Sequence, residues 1–565
     1  MTQQSDKSVQ GYAEALRRIN DCREKGLRGK SLDLMELELV KLPPEIKQLT
    51  SLVTLNLRYN RLITLPPEIG KLTTLKELKA GFNQLTTLPP EIGELTALTE
   101  LSVNSNHLTA LPPEIGQLTA LTELYLASNR LTTLPPEIGR LTALSTLFVD
   151  SNQLTTLPPE IGHLTSLKLL YLYSNQLTTV PPEVGQLVAL TELCLNSNQL
   201  STLPREIGQL KALTTLYLAS NRLATLPTEI GQLTTLTTLY LHSNEMAMLQ
   251  PEIGQLARLT ELTVYSNRLT TLPPEIGRLG ALTTLNLDSN QLTTLPPEIG
   301  QLAALTWLSL SYNELSSLPL EIGFLSRLTE LYLRSNLLST LPPEIGLLAE
   351  LSTLDIANNH LPILPDEISK LTKLVTLSIH SNRLAFPQQQ ICQLTALTHL
   401  DLAGNALTAL PPTIGNLTEL KTLSLHTNAL VSLPPEIGRL SSLTALDLRA
   451  NQIGVLPPEI GELGLLQRLT IEDNALTEVP KSLLQLQFLR ELTLHGNEAL
   501  GLPTELLGPR FAQSDETNLP ADPKAILDFY FSRQLEGEEP MREVRLLLIG
   551  RGRVGKTSLL KALRH

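Results

Sequence analysis

The residues with the most specific chemistry lie close to the C-terminus, where the chain matches the phosphate-binding pattern G-x-x-x-x-G-K-[ST]. Glycines let the backbone wrap a phosphate group, and the amides of residues 553–558 would point at it from a helix N-terminus. Lys556 would bridge the β- and γ-phosphates, and the Thr557 hydroxyl would hold Mg²⁺. The predicted nucleotide-binding residues are Gly550, Gly552, Arg553, Val554, Gly555, Lys556, Thr557 and Ser558.

The segments on either side of this loop agree with it. Residues 544–549 are mostly apolar and predict a strand, and residues 558–564 predict the start of a helix. The alternative is a glycine-rich turn that only resembles a phosphate loop. Because strand, loop and helix occur in the required order, the phosphate loop is the favoured interpretation.

A second group of candidate residues recurs at steps of 23 residues through the middle of the chain. Five of six consecutive positions, from 125 to 240, are aromatic in a chain with only 4% aromatic residues. Aromatic side chains on a binding face are good anchors for a protein partner. They also suit exposed strand positions, where they pack on one another. The predicted partner-binding residues are Tyr125, Phe148, Tyr171, Tyr173, Tyr217, Tyr240, Tyr265, Trp307 and Tyr332.

Further along, the same face turns polar. Carboxylates and imidazoles recur there and are able to bind metal or to titrate near neutral pH. Because they alternate between repeats about 10 Å apart, they are too dispersed for one metal ion, and the sequence predicts a solvated polar face. These residues are Asp355, Asp401, Asp447, His380, His426 and His495.

All of these positions are set by a 23-residue repeat, of which residues 111–133, LPPEIGQLTALTELYLASNRLTT, are one copy. Stepping by 23 from Asn60 to Asn497 meets asparagine at all twenty positions. This period resembles the leucine-rich repeat. The predicted fold class is α/β, a leucine-rich-repeat solenoid (horseshoe) with a parallel concave sheet and a proline-containing, helix-poor convex side.

Within one copy, most letters are predicted to be scaffold. Leu124 and Leu126 face the core and Tyr125 faces outward, as strand alternation requires. Asn129 is predicted to bond backbone groups that the turn leaves unpaired. The Pro-Pro pair of LPPEIG prevents a long α-helix and predicts extended backbone followed by a short 3₁₀ or α turn.

Four regions follow from these patterns. Residues 1–30 are predicted to form a helical cap, with Val9, Tyr12, Leu16 and Ile19 on its apolar face. Residues 31–507 hold about 21 repeats, residues 508–541 a linker with a docking helix, and residues 542–565 the first strand, phosphate loop and helix start of an incomplete domain. The linker helix should begin at Asp522 and dock through Ile526, Leu527, Tyr530 and Phe531.

Composition limits the function classes. A net charge of −12 argues against generic binding to nucleic acid or to anionic membranes. The three cysteines are far apart, and no apolar run is long enough to span a bilayer. A reducing cytoplasm is therefore the predicted location.

Repeats of the LPPEIG type, a short linker helix and then GRGRVGKTSLL resemble the Roco family. The resemblance implies a Ras-like GTPase domain (Roc) after the repeats and a dimerising COR domain after Roc. It implies GTP or GDP and Mg²⁺ as cofactors, in a complete domain only, and dimerisation only through residues beyond this chain. NOD-like ATPases place their repeats after the nucleotide domain and fit less well.

Eight residues follow Thr557, and they hold neither the second phosphate motif nor the N-K-x-D motif that reads guanine. We therefore expect this chain to be the N-terminal, partner-binding or regulatory part of a Roco-like GTP-binding protein. Its own share of catalysis is limited to the phosphate loop. The alternative is a stand-alone interaction scaffold without nucleotide function. A protein kinase further downstream, as in some Roco proteins, is a third interpretation with no motif to support it here.

Overall fold

The computed structural model describes residues 2–25, 30–385, 388–511 and 520–535. The predicted phosphate loop, residues 550–558, lies outside these ranges, as do the strand and helix predicted around it. The chain divides into two compact units, residues 1–308 and 309–565.

The described residues contain three α-helices, twenty-one strands of three residues each and a series of 3₁₀ helices. The α-helices are α1 (Thr2–Glu24), α2 (Thr504–Leu507) and α3 (Pro523–Leu535). The strands β1 to β21 are, in chain order, Ser31–Asp33, Thr54–Asn56, Glu77–Lys79, Glu100–Ser102, Glu123–Tyr125, Thr146–Phe148, Leu169–Tyr171, Glu192–Cys194, Thr215–Tyr217, Thr238–Tyr240, Glu261–Thr263, Thr284–Asn286, Trp307–Ser309, Glu330–Tyr332, Thr353–Asp355, Thr376–Ser378, His399–Asp401, Thr422–Ser424, Ala445–Asp447, Arg468–Thr470 and Glu491–Thr493.

Neighbouring strands pair in parallel, each residue opposite the one 23 positions later. In the first unit Glu123, Leu124 and Tyr125 of β5 lie opposite Thr146, Leu147 and Phe148 of β6. The same register continues from β1 to β12 in this unit and from β14 to β21 in the second. Since the register step equals the sequence repeat, equivalent side chains form columns across each sheet.

The core of each repeat is made of leucine and isoleucine, as the sequence predicts. Leu121, Leu124, Leu126 and Ile138 are fully buried. Each fully buried side chain of this size contributes roughly 1.5–3 kcal/mol through the hydrophobic effect. One repeat alone cannot cover these residues, so neighbouring repeats stabilise one another.

The side opposite the strands carries five-residue 3₁₀ helices, which confirms the helix-poor interpretation. Pro136–Arg140 is one of them, and Pro135 before it has extended backbone with φ −69° and ψ 146°. Gln250, which replaces the first proline in one repeat, adopts the same conformation with φ −69° and ψ 144°. The missing proline therefore leaves the turn unchanged. The sequence LAFP at residues 384–387 also departs from the repeat, and residues 386 and 387 of it lie outside the described residues.

The asparagines form the predicted ladder. The Asn129 amide nitrogen donates to the carbonyl oxygens of Val103 and Leu126, both at 3.0 Å, and its side-chain oxygen accepts from the Leu108 amide at 2.9 Å. Asn129 is 7% exposed, so these bonds are shielded from water. Each asparagine therefore ties its own repeat to the preceding one.

Helix α1 packs against β1 and the first 3₁₀ helix through a face that only partly matches the predicted one: Ile19 is buried as predicted, whereas Tyr12 and Leu16 are half-buried. Ala15 and Ile19 are fully buried and Cys22 nearly so, whereas Val9 is 69% exposed. A Cβ added at Gly11 would collide with the Leu37 backbone. At this point the helix approaches the first repeat too closely for any side chain larger than that of glycine.

Helix α3 covers the last repeats through its predicted face. Ile526, Leu527, Tyr530 and Phe531 are all buried. The Tyr530 hydroxyl oxygen accepts a hydrogen bond from the Val479 amide at 3.2 Å. Asp522 accepts from the Lys524 amide at 3.1 Å, as a residue at a helix start does. The sequence allows this helix either to close the repeat array or to seat a following domain on it, and the contacts of α3 favour closure.

No helix among the described residues is both long enough and apolar enough to cross a lipid bilayer.

Candidate partner-binding face

The outward face of strands β4 to β12 is built from three columns of side chains. The first and third residues of each strand contribute one column each, and the residue two positions after the strand contributes the third. For β5 these are Glu123, Tyr125 and Ala127. The parallel register places like positions about 4.8 Å apart. We call this surface the aromatic face.

Most of the predicted aromatic side chains stack on one another along these columns. Tyr125 meets Phe148 edge-on with ring centroids 5.3 Å apart, and Phe148 stacks on Tyr171 at 4.3 Å. Tyr217 and Tyr240 form a second stack at 4.9 Å. Cys194 lies between the two groups in the register and is 7% exposed. Such ring pairs contribute about 0.5–1.5 kcal/mol each beyond the area they bury.

The third column adds a further stack, in which Tyr265 lies parallel to His242 with centroids 4.3 Å apart. Burial lowers the pKa of His242, so this imidazole is neutral at pH 7. The predicted aromatic residues at the sheet positions are half-buried, which leaves part of each ring open to solvent. Stacking and exposure therefore coexist on this face, and both interpretations of the aromatic column have support.

The two remaining predicted residues belong to other strands. Trp307 begins β13 and Tyr332 ends β14, and both are half-buried. The Tyr332 hydroxyl donates to Glu330 at 2.6 Å in the second unit. Burial and this carboxylate raise the Tyr332 pKa to about 12.

Carboxylates accompany the tyrosines, a feature that the aromatic column did not predict. The Tyr125 hydroxyl donates to Glu123 at 2.7 Å, and the Tyr171 hydroxyl donates to Glu192 at 2.7 Å. Glu123 stands two residues before Tyr125, and this E-L-Y spelling recurs at β14. That spacing puts both side chains on one face of a strand and would have revealed the pairs in β5 and β14, whereas the Tyr171–Glu192 pair joins neighbouring strands.

The tyrosine–carboxylate bonds hold the phenols in their protonated form. The pKa of Tyr173 is raised to about 12, chiefly by its interaction with Asp150 and further by burial. The pKa of Tyr240 is also raised to about 12, chiefly by burial and further by Glu261. Tyr173 and Tyr240 therefore stay neutral across the physiological pH range.

The polar end of the sheet differs from the predicted solvated face at its last strands. His495 is 8% exposed and Glu472 4%. The segment of residues 508–511 lies over them: His495 Nε2 is 3.0 Å from the Gly508 carbonyl oxygen, and the Phe511 amide donates to Glu472 at 2.7 Å. The solvated interpretation is wrong here because the chain itself covers the strands.

No group of three or more potential metal ligands comes together in the part of the chain that the structure describes. Asp447 is instead paired with Arg449 at 2.6 Å, and the hydrogen bonds from Arg449 hold the Asp447 pKa below its usual value against the opposing effect of burial.

The comparisons with known proteins agree with this architecture. A model described as a leucine-rich repeat region matches residues 27–126, 101–198, 182–269 and 411–506, which is more than half of the chain. Two further leucine-rich-repeat models match residues 257–317, 326–384 and 396–417. The chain belongs to the leucine-rich-repeat family. No curated protein matches it at a significant level.

Solved leucine-rich-repeat structures resemble the chain over most of its length. A leucine-rich-repeat protein of Leptospira interrogans is 40% identical with a TM-score of 0.60, covering 72% of this chain and 98% of its own. The plant peptide hormone receptor RGFR1, solved in complex with RGF2, is 32% identical with a TM-score of 0.66, covering 79% of this chain and 78% of its own. YopM from Yersinia enterocolitica is 27% identical with a TM-score of 0.61, covering 85% and 94%.

Proposed function

We propose that this leucine-rich-repeat protein is an interaction scaffold and that its aromatic face binds a protein partner. The observation that carries the proposal is the row of half-exposed, stacked rings from Tyr125 to Tyr265, held in place by a rigid sheet. Rigid aromatic side chains lose little conformational entropy on binding and are frequent hot spots. The related plant receptor, solved with its peptide hormone, supports a peptide-like ligand.

A triple substitution tests the proposal. Peptides of twelve residues are first selected from a displayed random library for binding to the whole chain. We then expect the triple variant Tyr125→Ser, Tyr171→Ser and Tyr217→Ser to bind the selected peptides at least about 100-fold more weakly. Each lost anchor costs roughly 1–2 kcal/mol or more of binding free energy. Affinity is measured by fluorescence anisotropy, and circular dichroism should remain unchanged.

The matched control removes three exposed apolar side chains in or just after 3₁₀ helices, away from the sheet. Val188→Ser, Phe324→Ser and Phe488→Ser act on side chains that are 60%, 55% and 54% exposed. They should leave peptide affinity within about twofold of the original, since they lie on the opposite side of the strands. If the tyrosine variant binds as well as the original chain, the proposed face is wrong.

We further propose that the phosphate loop serves a Roco-like nucleotide function, in keeping with a cytoplasmic regulatory protein. The supporting observation is the sequence match at Gly550, Gly555, Lys556 and Thr557, preceded by an apolar segment. Lys556 and Thr557 would contact the phosphates and Mg²⁺. The choice of GTP rather than ATP as the nucleotide rests on the resemblance to the Roco family.

Calorimetry with Mg²⁺ and GTP separates this proposal from a stand-alone scaffold. The 565-residue chain should bind no GTP measurably, because the residues after Thr557 include no guanine-reading motif. A chain extended along its reading frame through D-x-x-G and N-K-x-D should bind, and Lys556→Ala should abolish that binding. Micromolar binding by the 565-residue chain would contradict the need for the guanine-reading motif, and an extended chain indifferent to Lys556→Ala would contradict the nucleotide function.

A further inference from the structure

The aromatic face carries charge of one sign. The three columns of β4 to β12 contain six carboxylates and neither lysine nor arginine. The six are Glu100, Glu123, Asp150, Glu192, Glu261 and Asp288. A ligand that covers this face must therefore either compensate the negative charge or leave carboxylates desolvated and unpaired, which would weaken its binding.

Three of these carboxylates lie beside tyrosines and have no cation partner among the described residues. Glu123 and Glu192 accept hydrogen bonds from the hydroxyls of Tyr125 and Tyr171, both at 2.7 Å, and Glu261 contributes to the raised pKa of Tyr240. Within the described ranges, no lysine or arginine forms an ion pair with any of the three. Glu100, in contrast, is 3.3 Å from Lys79. The tyrosine hydroxyls thus hold Glu123 and Glu192 within a surface of aromatic rings, and carboxylates together with aromatic rings suit arginine or lysine.

The same chain shows how this side of the strands receives another segment of the polypeptide. In the second unit, residues 508–511 lie across β20 and β21, and Arg510 pairs with the Asp473 carboxylate at 2.9 Å. The Phe511 amide donates to Glu472, and the Arg449 guanidinium lies 4.1 Å from the Phe511 ring centre. Arginine–carboxylate and cation–ring contacts therefore already occur on this side of the strands.

The spacing of the three carboxylates sets the spacing of the ligand charges. Glu123, Glu192 and Glu261 occupy the same column, and each is 69 residues, or three repeats, from the next. Three strand steps of about 4.8 Å give roughly 14 Å. An extended peptide advances about 3.4 Å per residue, so four residues span nearly the same distance.

We propose that the partner segment bound by the aromatic face is cationic and extended, with arginine or lysine at every fourth residue against Glu123, Glu192 and Glu261. This inference rests on the proposed function and names the chemistry of the partner. Aromatic rings supply contact area, and the three carboxylates select the charge pattern.

Three synthetic twelve-residue peptides of otherwise equal composition test the charge and the spacing. One carries arginine at positions 2, 6 and 10, a second carries three adjacent arginines, and a third replaces the spaced arginines with neutral citrulline. By fluorescence anisotropy at physiological salt, the spaced arginine peptide is expected to bind the whole chain about tenfold more tightly than either other peptide, since exposed ion pairs contribute up to about 1 kcal/mol each.

Glutamine substitutions locate the effect. Glu123→Gln, Glu192→Gln and Glu261→Gln together keep the shape of each side chain and its ability to accept a hydrogen bond. They should lower the affinity of the spaced arginine peptide to that of the citrulline peptide. Glu114→Gln, Glu137→Gln and Glu160→Gln change the net charge equally but lie in 3₁₀ helices, and should have no such effect.

Three outcomes would overturn the inference: equal affinity for spaced arginine and citrulline, an equal loss in both glutamine variants, or no binding of the spaced arginine peptide. If the library-selected peptides still depend on Tyr125, Tyr171 and Tyr217 in any of these cases, the proposed function stands and only the cationic specificity fails. If that dependence is also lost, the proposed function fails as well.

Discussion

Replacing Asn129 with alanine should lower the free energy of unfolding by about 2–3 kcal/mol, because a buried amide loses its hydrogen-bond acceptor. The Leu108 amide donates to Asn129 at 2.9 Å and is buried. The two carbonyl oxygens that Asn129 contacts keep another hydrogen bond in the variant. The Val103 oxygen also accepts from Asn106, and the Leu126 oxygen also accepts from Asn152. Urea denaturation followed by circular dichroism measures the change.

The neighbouring Arg130 provides the matched control. Its side chain is exposed, and its backbone amide donates to the Leu108 carbonyl whichever side chain it carries. Arg130→Ala should therefore alter the free energy of unfolding by less than about 0.5 kcal/mol. Equal midpoints for the Asn129 and Arg130 variants would show that the ladder does not stabilise the repeats.

Replacing Gly277 with alanine should destabilise the chain by about 1–3 kcal/mol through overpacking. A Cβ at Gly277 would lie 2.5 Å from the Glu298 carbonyl oxygen and 3.0 Å from the Glu298 Cβ. Both partners belong to the next 3₁₀ helix, Pro297–Gln301, so neither is a free side-chain end that moves cheaply. Thermal and urea unfolding of the purified variant measure the loss.

Gly280, three residues further on, is the control for this substitution. It is exposed, no heavy atom lies within 4 Å of an added Cβ, and its φ is outside the left-handed region. Gly280→Ala should leave stability unchanged or raise it by up to about 1 kcal/mol, because alanine restricts the unfolded chain. A loss at Gly280 equal to that at Gly277 would show that the close contact with Glu298 is not the cause.

The glycine of LPPEIG is only partly explained by the sequence. Its recurrence indicates that glycine is needed there, but the reason is the short distance between this residue and the glutamate of the next repeat, which only the coordinates provide. Asn129 is the opposite case: its amide chemistry and its period of 23 predict the bonds that the structure shows. Interactions that repeat with the sequence are predictable because the residue has the same surroundings in every repeat.

Features that occur once were harder to predict. The face of α1 depends on how closely Gly11 approaches Leu37, which hydrophobic spacing alone does not encode. The cover over His495 comes from residues 508–511, which read as a linker because they carry no period. The tyrosine–carboxylate pairs were partly predictable. The pair of Glu123 and Tyr125 is visible as E-L-Y within one strand, whereas the bond from Tyr171 to Glu192 joins two neighbouring strands.

One site-specific cross-linking experiment tests the partner-binding face most directly. A benzophenone amino acid is placed at Tyr171, on the aromatic face, or at Val188, which is 60% exposed and follows a 3₁₀ helix. After irradiation with a library-selected peptide, the account predicts a covalent adduct from position 171 and none from position 188. An adduct from position 188 alone, or from neither position although the peptide binds, would contradict it.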